Sequence, residues 1–472
     1  MEKYKIYIAG EFVDGEEEID VINPYSNTCF AKTFLASLHQ IEKAINFAYE
    51  VFNITKNFSS YERSEILERI ASKMNEQKED LSKTISQEAG KPIRDSIREV
   101  ERAIFTVKCA SEEAKRIYGE VMSLDLLPIT KGKIGITKRF PIGPILAITP
   151  FNFPLNLAMH KLAPAIAAGN TVVVKPSSKT PIIMLKMAKI IEEAGLPKGA
   201  LSVVPTKNYD ALVLDDRFKL VTFTGSSKVG WEIKKKIGKK KILLELGGNA
   251  GLIIDENVDI NSIMDKVIYG SFGYAGQICI SIQRIYVHES LYSSFCDLFT
   301  SSTKRIKLGD PLDPETFLGP MIDKPALERA KEWVDEAVAS GAKILTGGNI
   351  INTIFEPTIL TDVPKHCKVY SEEVFAPVVI VYPFKNFKDA VREVNDSKYG
   401  LQAGVFTKSL DNALYAFNNI ETGGVIINDI PTFRIDPMPY GGVKDSGIGK
   451  EGIKYAIEEM TELKLMVIQQ AM

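Results

Sequence analysis

Among the five cysteines of the chain (Cys29, Cys109, Cys279, Cys296 and Cys367), Cys279 is the one that follows a small-residue turn, in YAGQICISIQ at residues 274–283 with a Gln two places ahead. A free cysteine is usually a small buried hydrophobe, but one presented by a turn can act as a nucleophile when its surroundings favour the thiolate. Glu245 lies in KILLELGG, after a run that reads as a buried strand and shortly before two glycines. Its carboxylate either reaches solvent at the strand end or is held partly desolvated in a cleft, where a raised pKa would suit a general base. Asn152 stands between two aromatic residues in TPFNFP. Such an Asn commonly serves the turn backbone, and a rigidly held amide can also donate to a developing oxyanion. FTGSSKVG sets Gly225 and Gly230 in a GxxxxG spacing, after a predicted strand and at the opening of a helix. There, unpaired backbone N–H groups and the positive end of a helix dipole can receive an anion. Lys175, at the end of the strand in TVVVKPSS, would reach the same rim, either as a surface lysine or as a ribose or phosphate contact.

The elements that must position these groups alternate. GPILAITP, TVVVKPSS, LSVVP, KLVTFTGS and KILLELGG read as strands, with helices over about 156–168, over PIIMLKMAKIIEEAG and from near Ser227. This is the pattern of an open parallel sheet that binds nucleotides at the carboxyl ends of its strands. Ahead of it, residues 5–22 read as two short strands around turns at Gly10 and Gly15, and 37–116 carries helical spacing. The charged face over 62–90 is explained by solvent exposure. Residues 117–140 alternate like a hairpin too small to be stable alone. A second α/β unit starts after Asn249, with a helix over 260–274, strand RIYVHE, a helix over 291–307 and strands VVIVYPF and GGVIIND. With no linker between them, the two units should pack closely around a cleft.

Composition narrows the partners. A chain of 472 residues needs two or three folding units, and a net charge of -2 gives no pull toward nucleic acid or an anionic membrane. Five scattered cysteines with no paired spacing argue against a disulfide framework, and their odd count fits a reducing compartment. No apolar run reaches the roughly 18 residues of a membrane span. The expectation is a cytoplasmic protein whose partner is a small molecule or another copy of itself.

PFNFP, KPSSKTP, FTGSSKVG, LELGGNA, GQICIS, EEVFAPV, YGLQAGVFT and PYGGVKDSGIG follow one another in an order and at spacings that resemble the aldehyde dehydrogenase superfamily over nearly the whole chain. The resemblance implies an α/β fold with a Rossmann-type cofactor domain (1–119 and 141–245, with 446–458 returning to it), an α/β catalytic domain (246–445) and a β oligomerisation arm (120–140 and 459–472). It implies that Cys279 attacks the aldehyde to form a thiohemiacetal and then a thioester, that Asn152 and the Cys279 N–H hold the oxyanion, and that Glu245 activates the hydrolytic water. Lys175 would bind the adenosine ribose, Gly225 and Ser226 the pyrophosphate, and Glu373 the nicotinamide ribose with Phe375 beside it. No metal is implied, and a homodimer or homotetramer is. The last strand, near ELKLMVIQQ, has no evident partner of its own and should add to a neighbouring subunit's sheet.

Three departures from the common pattern carry information. Ser178 stands where NAD-preferring relatives often have a glutamate; with Lys179 beside it, NADP is expected, with NAD possible. The segment TKNYDALVLDDRF is shorter than usual on the adenine side. Around the substrate, with Phe153 and Tyr440 as walls, Asn156 and His160 replace bulky hydrophobes, and Arg434 either meets a carboxylate or phosphate or pairs internally with Asp436. Buried polar groups reject ligands that leave them unpaired. The expected substrate is therefore a small polar 2-hydroxyaldehyde, as in the lactaldehyde and non-phosphorylating glyceraldehyde-3-phosphate branches that the chain is most similar to. Succinate semialdehyde and glyceraldehyde 3-phosphate are the alternatives. A cysteine hydrolase using His288 or His366 is the rival from another class. Glu245 argues against a coenzyme-A-acylating relative, and intact Cys279, Glu245 and Asn152 argue against a non-catalytic one.

Overall fold

The computed structural model describes residues 2–470, so Met1, Ala471 and Met472, at the ends of the expected cofactor domain and arm, lie outside the described residues. Five strands in parallel form the middle of an eight-stranded sheet, in the spatial order Lys241–Glu245, Leu220–Thr224, Ile145–Ile148, Val172–Lys175, Leu201–Val203. They are short and rich in Val, Ile and Leu because helices cover both faces. The chain runs outward from Ile145–Ile148 in one direction and then returns to its other side, so the strand order reverses between Ile145–Ile148 and Leu220–Thr224. That reversal opens a crevice at the carboxyl ends. Register lines up the rim: Ile148 lies opposite Lys175, and Thr224 opposite Glu245.

The second sheet has seven strands, in the order Lys343–Thr346, Thr358–Thr361, Val378–Phe384, Ile282–His288, Ala250–Ile254, Gln402–Phe406, Gly424–Ile427, all parallel except the first pair. Cys279 and Glu373 lie just ahead of strands Ile282–His288 and Val378–Phe384. The amino edge of the second sheet thus meets the carboxyl rim of the first.

The helical region resolves into Leu38–Thr55, Ser60–Glu76, Lys78–Ala89 and Ile93–Ala114. Ser37 with Gln40, and Ser59 with Glu62, form capping boxes that start the first two, and Gly90, at φ 66°, ends the third. The charged face over 62–90 is not all solvated, contrary to expectation. Glu88 is fully buried, and its carboxylate accepts from the backbone N–H groups of Ile182 and Ile183 at 2.9 and 3.1 Å, closing the amino end of helix Ile182–Glu193. Glu99 does the same for helix Asn156–Ala168, accepting from Leu155 and Asn156 at 2.9 and 3.1 Å. Orphan N–H groups and a positive helix end make both places favourable for a carboxylate.

Two expectations need correction. Residues 5–22 hold three strands, Ile6–Ile8, Glu11–Val13 and Glu17–Asn23, because Gly10 (φ 86°) and Gly15 mark two separate turns. The C-terminal strand Thr461–Gln469 has a partner within its own chain: it pairs antiparallel along its whole length with Lys133–Pro141, whose other side takes Val121–Ser123. A hairpin strand has two edges, and the chain's own end occupies the second. No helix among the described residues is long and apolar enough to cross a membrane.

Candidate active site

Helix Ile260–Phe272 delivers the chain into a turn where Tyr274, Ala275 and Gly276 have φ of 46°, 53° and 67°. Left-handed backbone at a non-glycine residue is costly, on the order of 1–3 kcal/mol, and the surroundings hold it in place. The Tyr274 hydroxyl donates to Ala89 O at 2.9 Å. Gln277, fully buried, accepts from Ile322 N at 2.9 Å through its side-chain oxygen. Gly276 must be glycine, since a Cβ there would lie 2.2 Å from Ala376 O. Asn152, 5% exposed, donates through Nδ2 to Gln277 O at 2.9 Å. Turn and amide are therefore locked together, with the second Nδ2 hydrogen still available. On the far side, Gly248 leaves room for the Cys279 carbonyl, 2.2 Å from where its Cβ would be.

Cys279 lines a cavity of about 310 Å³ together with Phe153, Asn156, Arg434 and Tyr440. Its Sγ lies 3.1 Å from the Tyr440 hydroxyl. Burial pushes the thiol up to about 12, against the lowering effect of that hydrogen bond. Glu245 is 4% exposed, and its Oε2 has no hydrogen-bond partner among the described residues. Burial, and then the charge of Glu451, raise its carboxyl well above the usual range. Glu451 is also buried, yet Lys161 at 2.8 Å and Arg434 at 3.1 Å hold it at about 2. Lys161 and Glu451 are 290 residues apart in the chain, and nothing in the sequence spacing pointed to them. The same is true of Lys91, which pairs with Glu99 and sits 3.6 Å from the centre of the Phe153 ring.

The residues expected at the substrate separate into two groups. Phe153, Arg434 and Tyr440 face the cavity. Asn156 also lines it, but its Nδ2 donates to Asp436 at 3.0 Å and its Oδ1 accepts from Thr106 at 3.0 Å. His160 stands behind the wall, 1% exposed, with Nε2 2.9 Å from Asp436; burial lowers its pKa, against the raising effect of that carboxylate. It is therefore no substrate contact. Nor does Arg434 pair with Asp436, which is taken by Arg102 at 2.8 Å, His160 and Asn156. Arg434 binds Glu451 instead, its guanidinium lies 3.7 Å from the Tyr440 ring centre, and its Nε has no partner among the described residues.

Along the cofactor rim, Lys175 bonds only the neighbouring Pro176 carbonyl, at 3.3 Å, among the described residues, and burial lowers its pKa. Ser178 and Lys179 are exposed, with Lys179 2.8 Å from Asp323. The Gly225 N–H donates to Glu245 O at 3.1 Å. Ser226 occupies the cap position of helix Ser227–Lys236 but makes no side-chain cap bond, so its exposed hydroxyl and the helix end remain available. Glu373 accepts from Gly248 N at 3.0 Å, and burial pushes its carboxyl up to about 7. A Cβ on Gly247 would lie 2.4 Å from that carboxylate. Phe375, at φ 50°, packs edge-on against Phe151 with ring centres 5.9 Å apart.

A model of the aldehyde dehydrogenase family matches residues 12–466. The chain belongs to this family. It is similar to the 3-sulfolactaldehyde dehydrogenase of Priestia megaterium, 43% identical over 471 residues, 99% of this chain and 98% of that one. Among solved structures it is similar to aldehyde dehydrogenase 21 from Physcomitrella patens in complex with the reaction product succinate (TM-score 0.98, 45% identity, 99% of this chain and 98% of that one). It is also similar to the glyceraldehyde-3-phosphate dehydrogenase GapN from Methanocaldococcus jannaschii complexed with NADP (TM-score 0.93, 41% identity, 96% and 100%). The enzyme is an NAD(P)-dependent aldehyde dehydrogenase.

An aldehyde dehydrogenase needs a dinucleotide, and the rim suits one. The cap position at Ser226, which makes no side-chain cap bond, would suit a phosphate. Lys175, which has no carboxylate partner among the described residues, and Glu373, facing a glycine that keeps its carboxylate clear, would offer hydrogen bonds to ribose hydroxyls. Bound there, the cofactor would supply a two-electron acceptor.

Proposed function

We propose that this aldehyde dehydrogenase oxidises a short, polar 2-hydroxyaldehyde to its carboxylic acid, with Cys279 as nucleophile. The Cys279 sulfur bonds to the carbonyl carbon, the thiol proton passes to solvent, and the carbonyl electron pair moves onto oxygen. The free Nδ2 hydrogen of Asn152 and the Cys279 N–H hold that oxyanion; each such donor can be worth about 3 kcal/mol. Loss of the aldehyde hydrogen with its electron pair to a bound NAD(P) would leave a thioester on Cys279. Glu245 then takes a proton from water as the water oxygen adds to the thioester carbon, the C–S bond breaks and the acid leaves. A raised carboxyl pKa suits this step, because a base works best near ambient pH.

The observation that carries the substrate reading is Arg434: a cationic side chain, paired with Glu451, on the wall of a cavity of only about 310 Å³. A polar wall of this kind favours an aldehyde that carries a hydroxyl or an anionic group over an apolar one. The same cation supports a second reading, a short aldehyde with a carboxylate, phosphate or sulfonate at its far end, in keeping with the names of the similar proteins. A hydrolase reading loses support, since none of the four histidines lines the cavity. For the cofactor, exposed Ser178 leaves room for a 2′-phosphate where a carboxylate would repel it, which supports NADP over NAD.

The test is a kinetic screen of lactaldehyde, glyceraldehyde, its 3-phosphate, succinate semialdehyde and hexanal, each with NAD and NADP. The expected result is the highest kcat/KM for a hydroxylated or anionic aldehyde with NADP. Highest efficiency with hexanal would overturn the substrate reading, and a clear NAD preference the cofactor reading.

A further inference from the structure

The thiol that must attack is poorly placed to ionise. It is half-buried, it follows a left-handed turn rather than opening a helix, and no histidine lines its cavity. Asn152 donates one Nδ2 hydrogen to Gln277 O, and in the proposed mechanism the other holds the oxyanion. Among the described residues, the sulfur makes one side-chain hydrogen bond, to the Tyr440 hydroxyl at 3.1 Å.

We propose that Tyr440 is a catalytic residue whose phenolic O–H donates to Cys279 Sγ and stabilises the attacking thiolate. Tyr440 is 3% exposed, and its backbone is fixed by a pair of hydrogen bonds with Glu451, N to O at 3.0 Å and O from N at 2.6 Å. The Glu451 carboxylate meanwhile holds Arg434 at 3.1 Å, and the Arg434 guanidinium sits 3.7 Å from the centre of the Tyr440 ring. One residue therefore positions both the phenol and the cation stacked on it. A cation over the ring draws electron density from it and makes the O–H a better donor. Burial keeps the phenol protonated well above its ordinary range, so it remains a donor at every working pH. In the resting thiol either atom can donate. When the thiol loses its proton to solvent, the Tyr440 O–H turns to the sulfur anion, and a charge-assisted bond of this kind is about twice as strong as a neutral one.

The expected size follows from thiol reactivity. Lowering a thiol pKa by about one unit, from above ambient pH, raises the thiolate fraction about tenfold; with a Brønsted slope of about 0.4–0.5, intrinsic reactivity falls about threefold, leaving a net gain of about threefold. The catalytic meaning of this bond rests on the reading of Cys279 as nucleophile, so the experiment separates the two. Modification of Cys279 by methyl methanethiosulfonate is followed against pH in the cofactor-free full-length protein, for the parent and Tyr440→Phe, with Cys279→Ala giving the background from the other cysteines. Absorbance at 240 nm reports the thiolate independently. Tyr440→Phe should react about threefold more slowly at pH 7.5, with its profile displaced about one unit to higher pH, and the alkaline limb of kcat/KM should move with it. Profiles that superimpose, alongside an inactive Cys279→Ala, would overturn the role of Tyr440 alone. Parental turnover in Cys279→Ala would overturn the nucleophile reading itself. Should Tyr440→Phe not fold, Arg434→Gln removes the stacked cation and should displace the thiol profile in the same direction; an unmoved profile there counts against the proposal equally.

Discussion

At Glu245 the side chain and the reaction make opposite demands on water. Burial and the neighbouring Glu451 charge raise its carboxyl, and on the proposed mechanism the same desolvation would prepare it to take a proton from the water that cleaves the thioester. Glu245→Gln is expected to keep a burst of reduced cofactor equal to one turnover per site while steady-state kcat falls about 10²–10⁴-fold; rapid-mixing absorbance measures both, and a kcat within twofold of the parent would remove Glu245 from the mechanism. Glu373 gives a second residue-scale expectation, in stability. Its carboxyl binds a proton more tightly in the folded chain, at about 7, than at its ordinary 4.5. Its favourable contribution is therefore complete below 4.5 and is lost as pH rises through 7, a change of at most about 3 kcal/mol. Glu373→Gln should raise Tm relative to the parent at pH 8 and leave it unchanged at pH 4; equal Tm at both pH values would contradict this. Cys279, Glu245 and Asn152 could be picked out in the sequence because each sits at a local landmark, a turn or a strand end. The partners of Arg434 and His160 could not, because charges that meet inside a fold carry no mark of their meeting along the chain.

Among the elements, the helices around the site are tied down by carboxylates from other helices. Glu99 caps helix Asn156–Ala168 and neutralises buried Lys91 beneath Phe153. Glu99→Gln should still accept from the helix end but leave an unpaired buried ammonium, at a cost of about 3–5 kcal/mol. Adding Lys91→Met should recover most of that loss. Thermal or denaturant unfolding of the two single variants and the double variant completes the cycle, and simple additivity would show that the pair is not coupled. Glu88, which closes the amino end of helix Ile182–Glu193, was read as part of a solvated face because helical periodicity shows only that a side is polar. Whether that side meets water or the end of another helix depends on how the helices are stacked. The strands were easier: unbroken Val, Ile and Leu runs ending in Gly, Pro or Ser mark a parallel sheet in any packing arrangement.

For the molecule as a whole, the strand Thr461–Gln469 leaves one edge open and exposes Leu463, Leu465, Met466, Val467 and Ile468, each 42–56% accessible. A long open edge of this composition invites another chain. We propose that it assembles with a second copy into a homodimer or homotetramer, and that residues 120–140 and 459–472 form the arm of a three-part chain whose cofactor and catalytic domains divide near 245. Leu465→Lys with Val467→Lys should reduce the sedimenting species to single chains; a parent that already sediments as a monomer would sink the idea. The order of strands and helices and the family follow from short-range patterns, since turn chemistry and side-chain periodicity act over a few residues. The pairing of the last strand with its own hairpin, the removal of His160 from the substrate wall and the Glu451 link between Arg434 and Tyr440 depend on contacts between distant segments. Burial sets their energies, and burial exists only once the two sheets have closed on each other.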